Sequence, residues 1–570
     1  MFSSSTSSTP ILIVGAGPTG LLLALVLAKY GVHFRIIEKA SESHTGQRGA
    51  GIQPRTLEIW NLLGVLPDLE VYGIPVPTVL TYKPGELEHF KSVKFVQHVD
   101  PTPSIPYPNG LFIGQNRTEA VLRAHLEKHG YQVEWNTELR GFEQHSDRVT
   151  AHMIKSPGSE ETSENIDCHW LVGADGGKSA VRKQLGFKFL GEALAEPMVN
   201  GEIEVKAGLD QAYWHQWFGE SNAVILRPTE TKGIFSFMVT GGADPESLVN
   251  NRDALIEAIQ RVTKRDDIVF GETKCVNIWR PNARMVDRFQ NGRVFLAGDS
   301  AHIHSPTGGQ GLNSSLQDAL NLAWKLALVE KQLASPSLLS TYTEERFPVI
   351  ATMLNFTTKI FASKVDAAKS GPSVSGSEEK QEWRPAGDAL KQLGVNCRWS
   401  SIVIDERAPV EVDANGEKRI DAYGMQRGDI VRAGDRAPDA PGLVDLKGGT
   451  ATTAESTSLF KVFTPTKHTV LLFSTDTDQI AALLSASRTY PADVIRTVII
   501  CPPGSVDASA VEGADLMLAD RDGHAYAGYN VARVDTAVVI VRPDGLIGGI
   551  VKGADGLKKY FGVVFDAVAA

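Results

Sequence analysis

Residues 10–38 read PILIVGAGPTGLLLALVLAKYGVHFRIIE, and the order of residue types in this stretch decides the fold. Ile11-Leu12-Ile13-Val14 is a short apolar run of the kind that forms a buried strand. Gly15-Ala16-Gly17-Pro18-Thr19-Gly20 follows as a GxGxxG turn, and a helix is expected from Pro18 to Tyr30, stopped by Gly31. His33 to Ile37 then reads as a second strand that ends at Glu38. In such a βαβ unit Gly15 allows the tight turn, Gly17 lets a pyrophosphate reach the backbone, and Gly20 lets helix and strand pack closely. The free N–H groups of the helix start meet phosphate charge. Glu38 and the adjacent Lys39 end the second strand, where a carboxylate binds ribose hydroxyls. A glycine turn alone is a weak signal, but strand, helix and terminal carboxylate in register predict nucleotide binding.

Two later turns have the same strand-then-glycine form. Gly173-Ala174-Asp175-Gly176-Gly177-Lys178-Ser179 follows the run His169 to Val172, and Gly298-Asp299-Ser300-Ala301-His302 follows Arg293 to Ala297. Just beyond lies Pro306-Thr307-Gly308-Gly309-Gln310-Gly311-Leu312-Asn313, opening a long helix expected from about Gly311 to Leu333. A glycine turn at a helix start aims N–H donors and a positive dipole end at whatever sits there; the plainer reading is a helix cap with a flexible loop.

The whole chain bounds these readings. Its 570 residues are too many for one typical core, so two to four units are expected. A net charge of −10, with no basic stripe, argues against a nucleic-acid partner. The most apolar early run, Gly20 to Ala28, is too short for a membrane span, and the Ser/Thr-rich start lacks the pattern of a secretory signal. Cys168, Cys275, Cys397 and Cys501 lie far apart, with no metal-ligand spacing, so a reducing cytoplasmic setting without a metal is expected.

The expected organisation is α/β. A tail covers 1–9, and a Rossmann-like dinucleotide-binding domain is assembled from 10–73, 111–195 and 286–370. This domain is interleaved with a β-sheet substrate domain from 74–110 and 196–285. A linker, 371–428, where Gly, Ser, Pro and charge clusters replace periodicity, leads to a C-terminal α/β unit, 429–570.

The three spaced turns together resemble the class A flavoprotein aromatic hydroxylases, the family of para-hydroxybenzoate hydroxylase and phenol hydroxylase. The resemblance covers about residues 10–360. It implies FAD as the resident cofactor, with the first glycine turn on the ADP half, Asp175 near the pyrophosphate and the NAD(P)H path, and Gly298-Asp299 at the ribityl chain. Arg48, within GQRGAGIQPRTLE, and Gln115 and Arg117, within QNRTE, match further FAD contacts of the family; Pro306, Gly308, Gly311, Leu312 and Asn313 match the loop under the isoalloxazine ring. The implied reaction takes hydride from transiently bound NADPH or NADH and inserts one atom of O₂ into a phenolic or polyketide-type aromatic through a C4a-hydroperoxyflavin. Residues 434–570, through Gly434-Asp435-Arg436-Ala437-Pro438, Asp520-Arg521-Asp522-Gly523 and Val541-Arg542-Pro543-Asp544-Gly545, resemble the thioredoxin-like domain of the phenol hydroxylase branch. Only one cysteine, Cys501, stands there in a plausible turn, so a packing or dimerisation role is expected rather than thiol exchange.

Substrate contacts are sought in the β-rich segment. Tyr213, His215 and Arg227 are candidate catalytic groups, and Trp217, Phe235 and Phe237 candidate substrate contacts. Alternation puts Tyr213, His215 and Trp217 on one face, and the competing reading is an aromatic core with a satisfied histidine. Aligned by eye, Ala50, Phe235 and Phe237 stand where the phenol hydroxylase branch has an acid, an arginine and a tyrosine, which points to a larger, more apolar substrate than phenol. Two other readings remain open at this point: an FAD-dependent dehydrogenase or epoxidase on the same fold, and a non-catalytic flavin-binding partner protein.

Overall fold

The computed structural model describes residues 7–565 except 95, 157, 159–160, 194–195, 305–307, 370–388, 409–411, 413–414, 417, 425–429, 447–455, 503–511 and 534. Three large sheets organise the α/β chain. The first has the order Gln290–Asn291, Val294–Leu296, Thr162–Gly173, Ser7–Val14, Phe34–Ile37, with Thr137–Gln144 and Val149–Lys155 paired beyond its long strand. Its inner strands are parallel, as in nucleotide-binding sheets whose crossovers are helices.

The helix Pro18–Lys29 is apolar on nearly every side and is buried from Thr19 to Ala28. A helix of that composition needs cover all round. It has the sheet on one side and the helix Gly311–Glu330, itself buried from Asn313 to Val329, on another. The first strand begins at Ser7, not Ile11, so residues 7–9 of the expected tail are structured. The reason is a long partner: Thr162–Gly173 supplies backbone for Ser7, Ser8 and Thr9 opposite Ile166, Asp167 and Cys168. Beyond Ile37 the edge of this sheet gains a single parallel bridge, Ile37 with Glu134.

The second sheet runs Val269–Trp279, Met198–Ala207, Ile234–Thr240, Ala223–Pro228, Tyr213–Phe218, Thr78–Tyr82, His89–Val93. One of its faces buries Val199, Ile203, Trp217, Phe235 and Phe237 against Leu255, Ile259 and Val262 of the helix Arg252–Thr263.

The third sheet, of eight strands, lies in the C-terminal part, with His468–Phe473 and Ile495–Cys501 at its parallel centre. Its Cys501 is buried, and burial raises the thiol to about 11, which suits packing better than exchange chemistry. This sheet also takes in Ile404–Asp405, a strand inside the segment read as a linker. Residues 389–408 of that segment are anchored by polar contacts that hydropathy does not register: Trp399 Nε1 donates to the Glu344 carbonyl at 2.8 Å, Ser400 Oγ to Glu345 at 2.7 Å, and Arg398 Nε to Asp435 at 2.6 Å. Among the described residues no helix is long and apolar enough to cross a membrane.

Candidate functional site

Register places the site. Val14 lies opposite both Ile37 and Gly173, and Gly173 lies opposite Leu296. Four parallel strands therefore end on one row, and Gly15, Glu38, Ala174-Asp175 and Ala297-Gly298 leave the sheet at the same carboxyl edge. That edge is where open α/β sheets bind ligands.

The first turn behaves as its sequence requires. Gly15 has φ +106° and packs so closely on Ala174 that a Cβ would collide with its carbonyl; a Cβ at Gly20 would collide with the Gly15 carbonyl. A Cβ on Gly17 would meet nothing within 4 Å. Pro18 sits at the helix start, and no side chain caps it. Glu38 is drawn back onto the turn, accepting the Ala16 N–H at 3.0 Å and the Ala40 N–H at 3.1 Å, while Lys39 is exposed.

The other two turns are fastened to the first and to each other. Asp175 Oδ2 caps the helix Ala180–Gln184 through the Ala180 N–H at 2.7 Å. Its Oδ1 is buried without a hydrogen-bond partner among the described residues. Gly298 has φ +64° and lies against Thr19 and Ser315, between the first turns of the two central helices. Arg182 donates to the Ser300 carbonyl at 2.9 Å and to the Gly177 carbonyl at 2.7 Å, with its guanidinium carbon 3.8 Å from the centre of the Phe189 ring. Asp299 is exposed, though protein crowding around its carboxyl raises it above the usual range, and His302 and Arg48 pull it part of the way back.

The start of the helix Gly311–Glu330 also lacks a side-chain cap. Asn313 holds it to the segment after Arg48: its Oδ1 accepts the Gln53 N–H at 2.8 Å, and its amide donates to the carbonyls of Gly51 and Gly309 at 2.8 and 2.6 Å. Leu312 and Gln115 both lie beside Gly49. A Cβ at Gly311 would collide with His304. Gly308 is covered on one side by Leu390, so there the turn is closed by protein; Pro306 lies outside the described residues. His302 is buried and bonded through Nε2 to Asp318 at 2.6 Å, and Asp318 in turn to Arg346 at 2.8 Å.

The substrate candidates separate into two groups. Trp217, Phe235 and Phe237 are 0–2% exposed and belong to the core under helix Arg252–Thr263. They do not face the carboxyl edge. His215 shares their side, and its two nitrogens bond Tyr82 Oη and the Asp210 carbonyl, which matches the core reading; Tyr213 is at the surface of that side. Arg227 has the opposite orientation. Its Nη2 donates to Gln47 Oε1 at 2.7 Å, its guanidinium carbon lies 4.6 Å from the Phe112 ring centre, and Nη1 is buried with no partner among the described residues.

Gln47, Phe112, Glu202, Trp214 and Glu230, which the sequence does not single out, complete that second face beside Arg117, expected at the cofactor. Glu202 accepts the Gln47 N–H at 2.6 Å, Gln47 also bonds Glu230, Arg117 approaches Glu230 at 3.7 Å, and Trp214 lies 6.2 Å from Phe112. Burial lowers the Arg227 pKa to about 10, offset by Glu230 and Glu202, and burial raises the Glu202 carboxyl. Alternation was the available signal: it separates Trp214, Gln216 and Arg227 from Trp217 and Phe237 without saying which set the helix covers.

The residues at the carboxyl edge fit FAD. Gly17 leaves room for a pyrophosphate at an uncapped helix start, Asp175 holds an unpaired buried oxygen, and Asp299 presents a carboxylate beside the second uncapped helix start. No group of three or more potential metal ligands occurs among the described residues.

Comparison with known proteins agrees with this geometry. The model of the FAD binding domain family matches residues 8–357. A protein described as a flavin-dependent monooxygenase from Mycobacteroides abscessus is 34% identical, over 89% of this chain and 98% of its own. The 6-methylpretetramide 4-monooxygenase of Streptomyces rimosus is 36% identical over 61% of this chain and 60% of its own. Among solved structures, an aklavinone-11 hydroxylase in ternary complex with FAD and aklavinone superposes with a TM-score of 0.77 at 23% identity, covering 99% of this chain and all of that one.

Proposed function

The chain belongs to the FAD-binding flavoprotein monooxygenases, and from that premise we propose that it hydroxylates a multi-ring phenolic or polyketide-type aromatic, using NAD(P)H and O₂. The observation that carries the proposal is the shared row at the sheet edge. Gly15, Glu38, Asp175 and Asp299 converge there, and the uncapped helix start at Gly311 stands beside them. When bound, reduced FAD supplies the activation of oxygen.

The protein's own residues do the remaining work. The starts of the two central helices hold the pyrophosphate and favour negative charge at the ring end. Glu38 binds the ribose, Asp175 lies by the pyrophosphate, and Asp299 meets the ribityl chain. Arg48, Gln115, Arg117, Leu312 and Asn313 close the cofactor's other side.

The aromatic substrate lies between segments 46–53 and 110–117 and the uncovered face of the second sheet. Phe112 and Trp214 supply ring surfaces there, and Arg227 supplies a buried donor with unused capacity. A guanidinium in that place favours a phenol whose oxygen is ionised or accepts hydrogen bonds, and a more electron-rich ring is the better nucleophile. The relative named for 6-methylpretetramide supports a multi-ring substrate. Free, mostly buried thiols suit a cytoplasmic setting.

The test is a panel of one- to four-ring phenols screened with the FAD-loaded enzyme for stimulated NADPH consumption, with mass spectrometry for a gain of one oxygen. A hydroxylated product from a multi-ring phenol supports the proposal. A dehydrogenated product would assign the site to the dehydrogenase reading, and NADPH consumption unresponsive to every compound would reject this substrate class.

A further inference from the structure

The second sheet carries a cavity on the side turned away from the flavin turns. It has a volume of about 350 Å³ and lies where the helix Arg252–Thr263 stops, so the strands Thr78–Tyr82 and Tyr213–Phe218 outrun their cover. Tyr82, His215 and Leu80 are its buried part; Leu87, Ser92 and Tyr213 are exposed at its outer part. Leu87 is 68% exposed, a large apolar side chain left in water beside a cavity.

The polar groups say what chemistry suits it. His215 Nε2 lies 2.8 Å from the Asp210 carbonyl, which can only accept, so Nε2 carries the proton and Nδ1 is an acceptor. Tyr82 therefore donates its hydroxyl hydrogen to Nδ1 at 2.9 Å, and its oxygen keeps lone pairs for a donor from elsewhere. Burial lowers the His215 pKa, so the pair is neutral near pH 7. Arg265, the one Arg or Lys among the described lining residues, is spent: Asp267 takes two of its nitrogens at 2.6 Å each, and the Gly208 carbonyl takes a further bond at 3.0 Å. Among the described lining residues no Arg or Lys is left unpaired and Asp210 adds a carboxylate, so the site disfavours an anion. Tyr82 is stacked on Trp217 at 4.9 Å and 17° and on His215 at 5.7 Å and 22°, which fixes a rigid aromatic wall.

We propose that this cavity binds a neutral, flat hydroxyaromatic of about two rings, which donates its hydroxyl hydrogen to Tyr82 Oη, at a site separate from the flavin-facing substrate face. Its volume falls at the lower end of small-molecule sites, roughly 300–1,000 Å³. The enzyme would thus hold compounds of its substrate's general chemistry in two places, only one of which performs oxidation.

The test is equilibrium dialysis of 1-naphthol against the FAD-loaded enzyme, the Tyr82→Phe variant and the Ser92→Trp variant, with FAD content measured in each. The expected result is that Ser92→Trp removes one equivalent of bound naphthol at unchanged FAD content, and Tyr82→Phe weakens that equivalent about tenfold. The anion 1-naphthoate should bind there at least tenfold more weakly than naphthol. Dialysis curves identical for the parent and both variants, absence of naphthol binding to the parent, or naphthoate binding as tightly as naphthol would each overturn the proposal. If a variant fails to fold, the naphthol-to-naphthoate ratio is measured on Arg227→Met, whose flavin-facing face lacks its cation: weaker naphthoate binding supports the proposal, and equal binding overturns it.

Discussion

Arg542 places two nitrogens on the carboxylate of Glu345, at 2.7 and 2.9 Å, with both side chains at most 1% exposed. Arg542 belongs to the C-terminal sheet region and Glu345 to the helix Ser340–Lys369, so this contact fastens the last unit to the first. Lys325 joins at 2.8 Å to Glu345, and Asp544 accepts from Trp324 Nε1 at 3.2 Å. The cations hold the Glu345 carboxyl well below the usual carboxylate range against the opposing effect of burial. The motif Val541-Arg542-Pro543-Asp544-Gly545 is thus an interface device rather than a redox one.

Removing one member leaves the others charged and buried. Arg542→Ala is expected to cost about 3–5 kcal/mol, read as a lowered midpoint in denaturant unfolding of the full chain. A change below about 1 kcal/mol would mean the units are held by other contacts.

His468 gives a pH dependence with a definite sign. It is fully buried among Trp324, Tyr560, Phe561 and Phe565, neither nitrogen has a partner among the described residues, and burial lowers its pKa from 6.5 to about 3. The unfolded chain binds this proton first, so stability is complete above pH 6.5 and is lost as pH falls toward 3. Between pH 6.5 and 5 the loss is expected to be about 2 kcal/mol. His468→Phe should flatten that part of the stability curve, and an unchanged slope would refute the assignment.

Gly17 and Gly20 separate folding from cofactor binding. Gly20→Ala places a methyl on the Gly15 carbonyl and should destabilise the protein itself. Gly17→Ala meets no protein atom, so the FAD-free protein should melt as the parent does while its Kd for FAD rises roughly tenfold. Equal affinity would show that the pyrophosphate does not approach Gly17.

Arg227→Met is expected to raise KM for the phenolic substrate at least tenfold, about 1.4 kcal/mol, while FAD content and the rate of flavin reduction by NADPH without substrate stay near parental values. Lost FAD would instead make Arg227 a scaffold for Gln47.

The glycine turns were legible because they are local: strand, turn and carboxylate follow one another, and each glycine answers a close approach that the folded backbone makes at Gly15 and Gly20. Facing was not legible. Alternation sorts Trp217 and Phe237 from Arg227, but the helix that covers one face lies well downstream of all three, as Arg252–Thr263. The aromatic rings of Phe235 and Phe237 suit a substrate contact and a core position alike, and both are core. Residues 389–408 looked like linker because Trp399, Ser400 and Arg398 are anchored by polar bonds to distant Glu344, Glu345 and Asp435, which leave no periodicity to read.

The sharpest test of three turns acting as one cofactor site is the stoichiometry of flavin in the full-length protein, purified with FAD, freed of unbound flavin, and measured by visible absorption against protein concentration. The expected result is one FAD per chain, with well below half that retained by Gly17→Ala or Asp299→Ala at the same dilution. A folded parent protein that is colourless and takes up no added FAD would contradict it.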